Sequence, residues 1–458
     1  MATRYKILHS GMSVISGSAQ VDYTNIQNKP TTIATASYVA TASWALNAVT
    51  ASYIVSSSVA LTGSYINTVN VTNERMAGFT YQKLIDYLTP IHYKNSDLGF
   101  RVNTYAHGIT AVYGAYVGGV YSPTQNRIYL VPYNQANQTN WHYIDCLTGT
   151  VVAYAHGATV AYDAYQGGVY SPTQNRIYLM PNAQGSEANW HYINCSTGAV
   201  VAYAHGITAQ YAGYIGGVYS PTQNRIYLVP YAQSQQANWH YIDCSNGTVV
   251  AYAHGATVAY DAYQGGVYSP TQNRIYLVPN TQAPETNWHY IDCSNGAVVA
   301  YAKGLTVAGA YIGGVYSPTQ NRIYLVPGSQ SNQVNWHYIN CATGTVVAYV
   351  NGVTAVANAY TGGVYSPTQN RIYLVPTAQA NQTNWHYIDC ATGTVTAYTS
   401  GVTAVASGYL GGVYSPTQNR IYLVPYGQSQ EANWHSIQEY SAAEISPALM
   451  SSALFNKY

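Results

Sequence analysis

Seven arginines that recur in one sequence frame are the residues of this chain best placed to do chemistry. Arg127 stands in GGVYSPTQNRIYLVP, and near-identical copies of this stretch carry Arg176, Arg225, Arg274, Arg322, Arg371 and Arg420. A guanidinium pairs well with phosphate, sulfate or carboxylate groups. Such a set would therefore form either a ring of anion sites or a repeated internal contact. Because the chain has a formal net charge of only +1, internal acidic partners are the favoured interpretation.

The spacing supplies these partners. RIYLVP and NWHYIDC are joined by the seven residues 133–139, and if Pro132 faces Asn140 in an antiparallel hairpin, Arg127 faces Asp145. We therefore predict a structural cross-strand ion pair or hydrogen bond, worth about 0.2–1 kcal/mol. The same register pairs Arg225 with Asp243, Arg274 with Asp292, Arg371 with Asp389, Arg176 with Asn194, Arg322 with Asn340 and Arg420 with Gln438.

Cysteines recur in six of the seven copies, and the histidine of the WH pair recurs in all seven. The cysteines are Cys146, Cys195, Cys244, Cys293, Cys341 and Cys390. Equivalent positions in neighbouring copies should lie beyond the roughly 7 Å Cα limit for a disulfide, so we expect reduced, buried thiols. The histidines belong to the WH pairs, from His142 to His435, and to the AHG motifs at His107, His156, His205 and His254. Because a metal needs convergent ligands, we expect packing roles, no metal and no cofactor.

Catalytic motifs are missing from the sequence. There is no GxSxG, HExxH or phosphate-binding loop. We therefore expect a protein that is not an enzyme.

The elements that hold these residues form a tandem repeat. The tyrosine of VYSP recurs at a step of 49 residues that is once shortened to 48, at Tyr121, Tyr170, Tyr219, Tyr268, Tyr316, Tyr365 and Tyr414. Each copy contains four short β-type segments, GGVYSP, RIYLVP, NWHYIDC and TVVAYAHG, bounded by Gly, Pro and Asn. Four strands form a propeller blade, and seven blades close a ring. The predicted fold is thus an all-β, seven-bladed β-propeller.

The two ends of the repeat region are complementary. FRVNTYAHG precedes the first complete copy, whereas the last copy stops after three strands. We expect the strand near residues 101–108 to complete the last blade and cover its exposed edge. The repeat unit resembles the YVTN or quinoprotein-like propellers over roughly residues 100–440. That resemblance implies the fold and leaves enzyme, adhesin and scaffold roles open.

Composition narrows the class of partner. The chain has 16 Lys and Arg against 15 Asp and Glu, so no basic surface for nucleic acid or anionic membranes is expected. Tyrosine is abundant, with 51 copies, beside many neutral polar residues. The N-terminus lacks the apolar run of a signal peptide, and no stretch is long enough to span a membrane. The partner should therefore be recognised through neutral polar groups and phenols.

The terminal regions differ from the repeats. Residues 1–98 contain ISGSAQVDYTNIQNKPTTI and the low-complexity TASYVATASW run, and 31–67 fit either a helical bundle or a β stalk. These stretches, with ISPALMSSALFNKY at the end, resemble structural proteins of tailed bacteriophages, chiefly fibres and neck appendages. The resemblance implies a virion protein with an anchoring and oligomerisation segment (1–98), a propeller (99–440) and a tail (441–458). It also implies contacts with other virion proteins and self-association, commonly as a trimer.

The candidate ligand-binding residues lie where the copies differ. The 133–139 loop and its equivalents should share one face with the connections between blades, and both vary, whereas the PTQN and TG turns on the other face are nearly identical. Loops on a rigid scaffold commonly bind partners, although loop tips also tolerate change. We expect host polysaccharide to contact Tyr113, Tyr162, Tyr211, Tyr260, Asp163, Asp261, Gln135 and Gln233. The alternative is a structural decoration protein that contacts other virion proteins.

Overall fold

The structure is a computed structural model that describes residues 100–307 and 311–439. These residues form seven four-stranded antiparallel sheets arranged as the blades of a β-propeller, which confirms the predicted fold. The expected anchoring segment, 1–98, and the tail, 441–458, lie outside the described residues.

Blades 1 to 6 are each built from four consecutive strands in chain order. Blade 1 contains β2 (Tyr116–Ser122), β3 (Arg127–Pro132), β4 (Asn140–Asp145) and β5 (Val151–Ala155). Blade 2 contains β6 (Tyr165–Ser171), β7 (Arg176–Pro181), β8 (Asn189–Asn194) and β9 (Val200–Ala204). Blade 3 contains β10 (Tyr214–Ser220), β11 (Arg225–Pro230), β12 (Asn238–Asp243) and β13 (Val249–Ala253). Blade 4 contains β14 (Tyr263–Ser269), β15 (Arg274–Pro279), β16 (Asn287–Asp292) and β17 (Val298–Ala302).

The remaining blades repeat the arrangement. Blade 5 contains β18 (Tyr311–Ser317), β19 (Arg322–Pro327), β20 (Asn335–Asn340) and β21 (Val346–Val350). Blade 6 contains β22 (Tyr360–Ser366), β23 (Arg371–Pro376), β24 (Asn384–Asp389) and β25 (Val395–Thr399). Blade 7 contains β26 (Tyr409–Ser415), β27 (Arg420–Pro425), β28 (Asn433–Glu439) and the N-terminal β1 (Phe100–Ala106). Short 3₁₀ turns occupy Ala183–Ser186 and Gly427–Gln430.

Strand β1 closes the ring as the phasing predicts. It pairs antiparallel with β28, with Val102 opposite Ile437 and Tyr105 opposite Trp434. The described strand begins one residue before the expected start. Thr417 Oγ1 of blade 7 donates a hydrogen bond to Asn126 Oδ1 of blade 1 at 2.6 Å. The contact between blades 1 and 2 is the same, from Thr124 to Asn175.

The first strands of neighbouring blades meet through glycines. A Cβ added to Gly411 would lie 3.0 Å from the Cα of Gly118 in blade 1. Only glycine permits the backbones of these strands to approach so closely.

The hydrophobic core lies between the blades. One cluster joins Tyr129 and Trp141 of blade 1 to Tyr165, Ile177 and Cys195 of blade 2, and equivalent clusters follow around the ring. The seven tryptophans of the propeller strands are fully buried, at 0% exposed surface. Because each blade buries one sheet face against each neighbour, the scaffold stays almost invariant while its loops differ.

Candidate functional site

The propeller has two faces of different character. We call "turn face" the side that carries the PTQN and TG or NG turns, and "variable face" the side that carries the 133–139 loop, its equivalents and the connections between blades. Strand direction alternates within each blade, which assigns every loop to one of these faces.

On the turn face, the predicted register between arginine and aspartate is observed. Arg127 is the Cα partner of Asp145, and Arg225, Arg274 and Arg371 face Asp243, Asp292 and Asp389. The expected ion pair is not formed among residues 100–307 and 311–439. The Arg127 guanidinium instead lies over the ring of Tyr143, 4.2 Å from its centroid.

The aspartate makes its hydrogen bonds to the turn that follows its own strand. Asp145 Oδ1 accepts hydrogen bonds from the backbone N–H groups of Leu147 and Thr148, at 2.8 and 3.2 Å. It therefore stabilises the turn that follows its strand, as asparagine also does at Asn194. A local turn interaction of this kind competes successfully with the cross-strand partner. The prediction located both residues correctly and misassigned their contact.

The seventh copy lacks the tyrosine ring on which the arginine stacks. Ser436 stands where the other copies have a tyrosine such as Tyr143, so Arg420 has no equivalent ring beneath it. Its Nε donates a hydrogen bond to Gln438 Oε1 instead. The guanidinium is thus held within its own blade in either case.

The recurrent histidines and cysteines are internal. His142 Nδ1 is hydrogen-bonded to the Tyr116 hydroxyl at 2.6 Å, and the same pair recurs in every blade. His156 stacks on Trp141 with ring centroids 4.2 Å apart. All six cysteines are free and buried, as expected. The tyrosine–histidine bond was missed from the sequence, although its constant spacing of 26 residues was visible.

The variable face carries the four tyrosines predicted as ligand contacts. Tyr113, Tyr162, Tyr211 and Tyr260 are 54–64% exposed, and they occupy one frame in four successive connections. Blades 6 and 7 are entered through Ala357 and Ala406 in that frame. A second set, Tyr133, Tyr231 and Tyr426, follows the second strands of blades 1, 3 and 7. The aromatic residues are therefore concentrated on one sector of the ring.

Two aspartates lie within this sector. Asp163 and Asp261 adopt left-handed φ angles of 54° and 50°, in the frame occupied by Gly114 in the first connection. Burial raises the pKa of the Asp163 carboxyl, and the Tyr133 hydroxyl opposes this rise. Burial and the Asp163 charge in turn raise the pKa of Tyr133 to about 12. Tyr231 and Asp261 form the equivalent pair.

Both aspartates have an unsatisfied oxygen. Asp163 Oδ1 and Asp261 Oδ1 are buried and have no hydrogen-bond partner among the described residues. Unsatisfied buried acceptors are rare and commonly indicate a missing ligand or water.

The glutamines Gln135 and Gln233 must be removed from the candidate set. Both are buried, at 4% and 3% exposed surface. Gln135 Oε1 accepts the backbone N–H of Val112, and its Nε2 donates to Asn140 O. Gln233 makes the same contacts with Gln210 and Asn238. These amides hold the loop to its own connection and are unavailable to a ligand.

A separate groove of about 420 Å³ lies between blades 5 and 6, lined by Arg322, Tyr324, Tyr338, Tyr349 and Gly393. Between blades 6 and 7, the equivalent tyrosines enclose the ring of Phe100. Its centroid lies 5.3 Å from that of Tyr373 and 4.8 Å from that of Tyr398. Phe100 takes the place of the turn glycine and fills this groove with the chain's own aromatic ring.

Other site types are not found within the described part of the chain. No group of three His, Cys, Asp or Glu side chains there could hold a metal ion. No helix there is long and apolar enough to cross a membrane.

Comparison with known proteins supports the fold alone. No protein-family model and no curated protein sequence matches the chain. A streptogramin B lyase structure matches with a TM-score of 0.54 and 12% identity, covering 75% of this chain and 99% of that chain. A chain of the mitotic checkpoint complex matches at 0.50 and 13%, covering 74% and 91%. The extracellular domain of a one-component system protein from B. thetaiotaomicron matches at 0.51 and 8%, covering 76% and 43%.

Proposed function

We propose that this protein is a bacteriophage virion appendage of the fibre type, whose propeller head binds a host surface glycan through its variable face. The observation that carries the binding role is the sector of exposed tyrosines, Tyr113, Tyr162, Tyr211 and Tyr260. Aromatic rings offer flat apolar faces for sugar rings, and their hydroxyl groups supply hydrogen bonds. The virion assignment rests on the resemblance of the terminal regions to phage structural proteins.

The contrast between sectors supports binding rather than a general surface property. The scaffold repeats almost unchanged through seven blades, so a purely structural surface would tolerate the same residues in every connection. Tyrosines instead stand in four successive connections, with Ala357 and Ala406 in the same frame on the opposite side. Exposed aromatic side chains grouped in this way are typical of interaction surfaces.

The test replaces Tyr162 and Tyr260 with alanine in the full-length protein, since alanine is the natural residue in this frame at Ala357 and Ala406. Binding to an array of bacterial surface glycans should fall by about tenfold or more if the stacking contacts carry affinity. Leu147→Ala is the matched control, because Leu147 is 76% exposed on the turn face. Unchanged binding in the double variant, or no glycan binding by the parent protein, would favour the structural decoration role.

A further inference from the structure

The fold separates charges that are nearly balanced in the sequence. Within the described residues, the variable face carries the carboxylates of Asp163, Glu187, Asp261, Glu285 and Glu431 and a single cation, the buried Lys303. The turn face carries eight arginines, four aspartates and, at the end of β28, Glu439. This polarity was not expected from the overall charge. It follows from strand direction, because every RIYLVP strand begins on the turn face and every acidic loop lies on the other.

The first of two matched sites surrounds Asp163. The Tyr133 hydroxyl interacts with this carboxylate, and Tyr162 precedes it directly in the chain. Burial is the main cause that raises the pKa of the Tyr426 hydroxyl in blade 7, and its neighbours Tyr113, Asp163 and Tyr162 add to the rise. No arginine or lysine contributes to the environment of Asp163. An isolated carboxylate is thus grouped with electron-rich rings from three loops.

The second site repeats the aspartate and two of its three tyrosines two blades further along the ring, with Asn182 in the frame of Tyr426. Asp261 interacts with the Tyr231 hydroxyl, and Tyr260, its neighbour in the chain, also affects the pKa of Tyr231. Asn182 and Asn280 hold the two connections in the same way, each donating from Nδ2 to the backbone oxygen of its aspartate at 3.2 Å. The intervening connection has Ala212 in the aspartate frame. The acidic frame is therefore specific to two of the connections.

These features select a cationic ligand. The faces of tyrosine rings attract organic cations, and recognition of quaternary ammonium groups by aromatic cages uses this attraction. A half-buried carboxylate without a cationic neighbour adds to it. A neutral sugar would stack on the rings and would leave the negative charge uncompensated.

We infer that Asp163 and Asp261, each with its adjoining tyrosines, form two similar sites for an organic ammonium group. This rests on the proposed function of the variable face as a binding surface, and it narrows the ligand to a glycan bearing amine or quaternary ammonium substituents. Unlike a sevenfold ring of sites, two sites on one sector would fix the orientation in which the head engages a decorated chain.

The experiment titrates the full-length protein with tetramethylammonium chloride by calorimetry, with glucose as the neutral control. Tetramethylammonium should bind with a stoichiometry near two, and glucose at the same concentration should not. Choline and glucosamine then distinguish a quaternary from a primary ammonium. Asp163→Asn with Asp261→Asn should weaken binding by about tenfold or more. Absence of tetramethylammonium binding by the parent protein, or equal binding by this variant, overturns the inference.

Matched controls come from the chain itself. Asparagine already occupies the aspartate frame at Asn358, where φ is 53°, so the double variant should fold. Asp145→Asn with Asp243→Asn removes the same charge from the turn face, where Asn194 and Asn340 occur naturally, and should leave binding unchanged. Tyr162→Ala with Tyr260→Ala keeps both carboxylates and should still weaken ammonium binding.

A gain of binding provides an independent test. Gly114 lies in the aspartate frame between Tyr113 and Tyr426, whose rings are 5.9 Å apart. A Cβ at Gly114 would meet Asn134 Nδ2 at 2.7 Å and the Tyr426 ring at 3.1 Å. Gly114→Asp is therefore combined with Asn134→Ala, the residue found at Ala183, and the Tyr426 ring must shift by a few tenths of an ångström. This variant should bind one additional ammonium ion, and an unchanged stoichiometry in the folded variant counts against the inference. If the parent protein binds glycans and does not bind ammonium ions, the inference is wrong and the proposed function stands. If the parent protein binds no glycan, the proposed function is wrong.

Discussion

Arg127 is paired with Asp145 across antiparallel strands, yet its guanidinium lies over the ring of Tyr143, 4.2 Å from the centroid. The same stacking recurs in the first six blades at 4.2–4.4 Å. Charge neutralisation is therefore secondary to cation–π packing at this position. This explains why Asn194 and Asn340 can replace the aspartate.

A double-mutant cycle in blade 3 tests this ranking. Arg225→Met combined with Tyr241→Leu should give a coupling free energy of about 0.5–1 kcal/mol, because the two side chains interact directly. Arg225→Met combined with Asp243→Asn should give a smaller coupling, because the Asp243 charge is the weakest of the influences that raise the pKa of Arg225. Chemical denaturation of the three single variants, the two double variants and the parent protein measures both values. A larger coupling for the aspartate would restore the ion-pair interpretation.

Two tyrosine hydroxyls in blade 1 should differ in their contribution to stability. Tyr116→Phe leaves His142 Nδ1 buried without its partner and should lower the free energy of unfolding by about 1–3 kcal/mol. Tyr154→Phe should be nearly neutral, because the Tyr154 hydroxyl is buried and has no hydrogen-bond partner among the described residues. Thermal melting of the two variants makes the comparison. Equal losses would mean that an ordered water satisfies Tyr154.

Acidification should destabilise the ring before most carboxylates titrate. Burial lowers the pKa of His142 to about 4, and its equivalents in the other six blades behave alike. The unfolded chain takes up protons below about pH 6.5, whereas the folded ring does so only near pH 4. The free energy of unfolding should therefore fall steeply as the pH is lowered between these values.

The measurement for this prediction is denaturant unfolding at intervals from pH 7 to pH 4.5. Asp243 and Asp292 do not account for a loss in this range, because hydrogen bonds from Ser245 and Ser294 lower the pKa of their carboxyls. Their contribution disappears only at lower pH. A free energy of unfolding that stays constant down to pH 4.5 would contradict the role of the tyrosine–histidine pairs.

Removal of β1 should open blade 7. Deletion of residues 1–108 exposes the edge of β28 and uncovers Ile437, which is fully buried, so the truncated protein should melt at a lower temperature or aggregate. Deletion of residues 1–99 keeps β1 and is the matched control. If both truncations melt at the same temperature, closure by β1 does not stabilise the ring.

The fold could be predicted from the sequence because its signals are local and repeated. A constant step, turn residues and strand alternation determine blades, register and closure, and the free cysteines follow from blade spacing. The Arg127 contact could not be predicted in this way, because Tyr143 and Asp145 lie two residues apart on the same strand face and register alone does not choose between them. Gln135 is buried because its loop folds back over Val112. The periodicity of the sequence does not indicate the conformation of this loop.

The ring of Phe100 also distinguishes the place where β1 pairs with β28, here called the seam, from the edges of the other blades. In a chain of nearly identical blades, β1 could add to the third strand of the wrong blade or of a second molecule, as in domain swapping. Phe100 fits a groove whose turn glycine is absent, and Arg101 and Asn103 face Gln438 and Ser436, residues that the other copies lack. These differences favour pairing of β1 with β28 over pairing with the third strand of any other blade. The seam thus reduces misassembly during ring closure, the step at which near-identical blades most easily form the wrong strand pair.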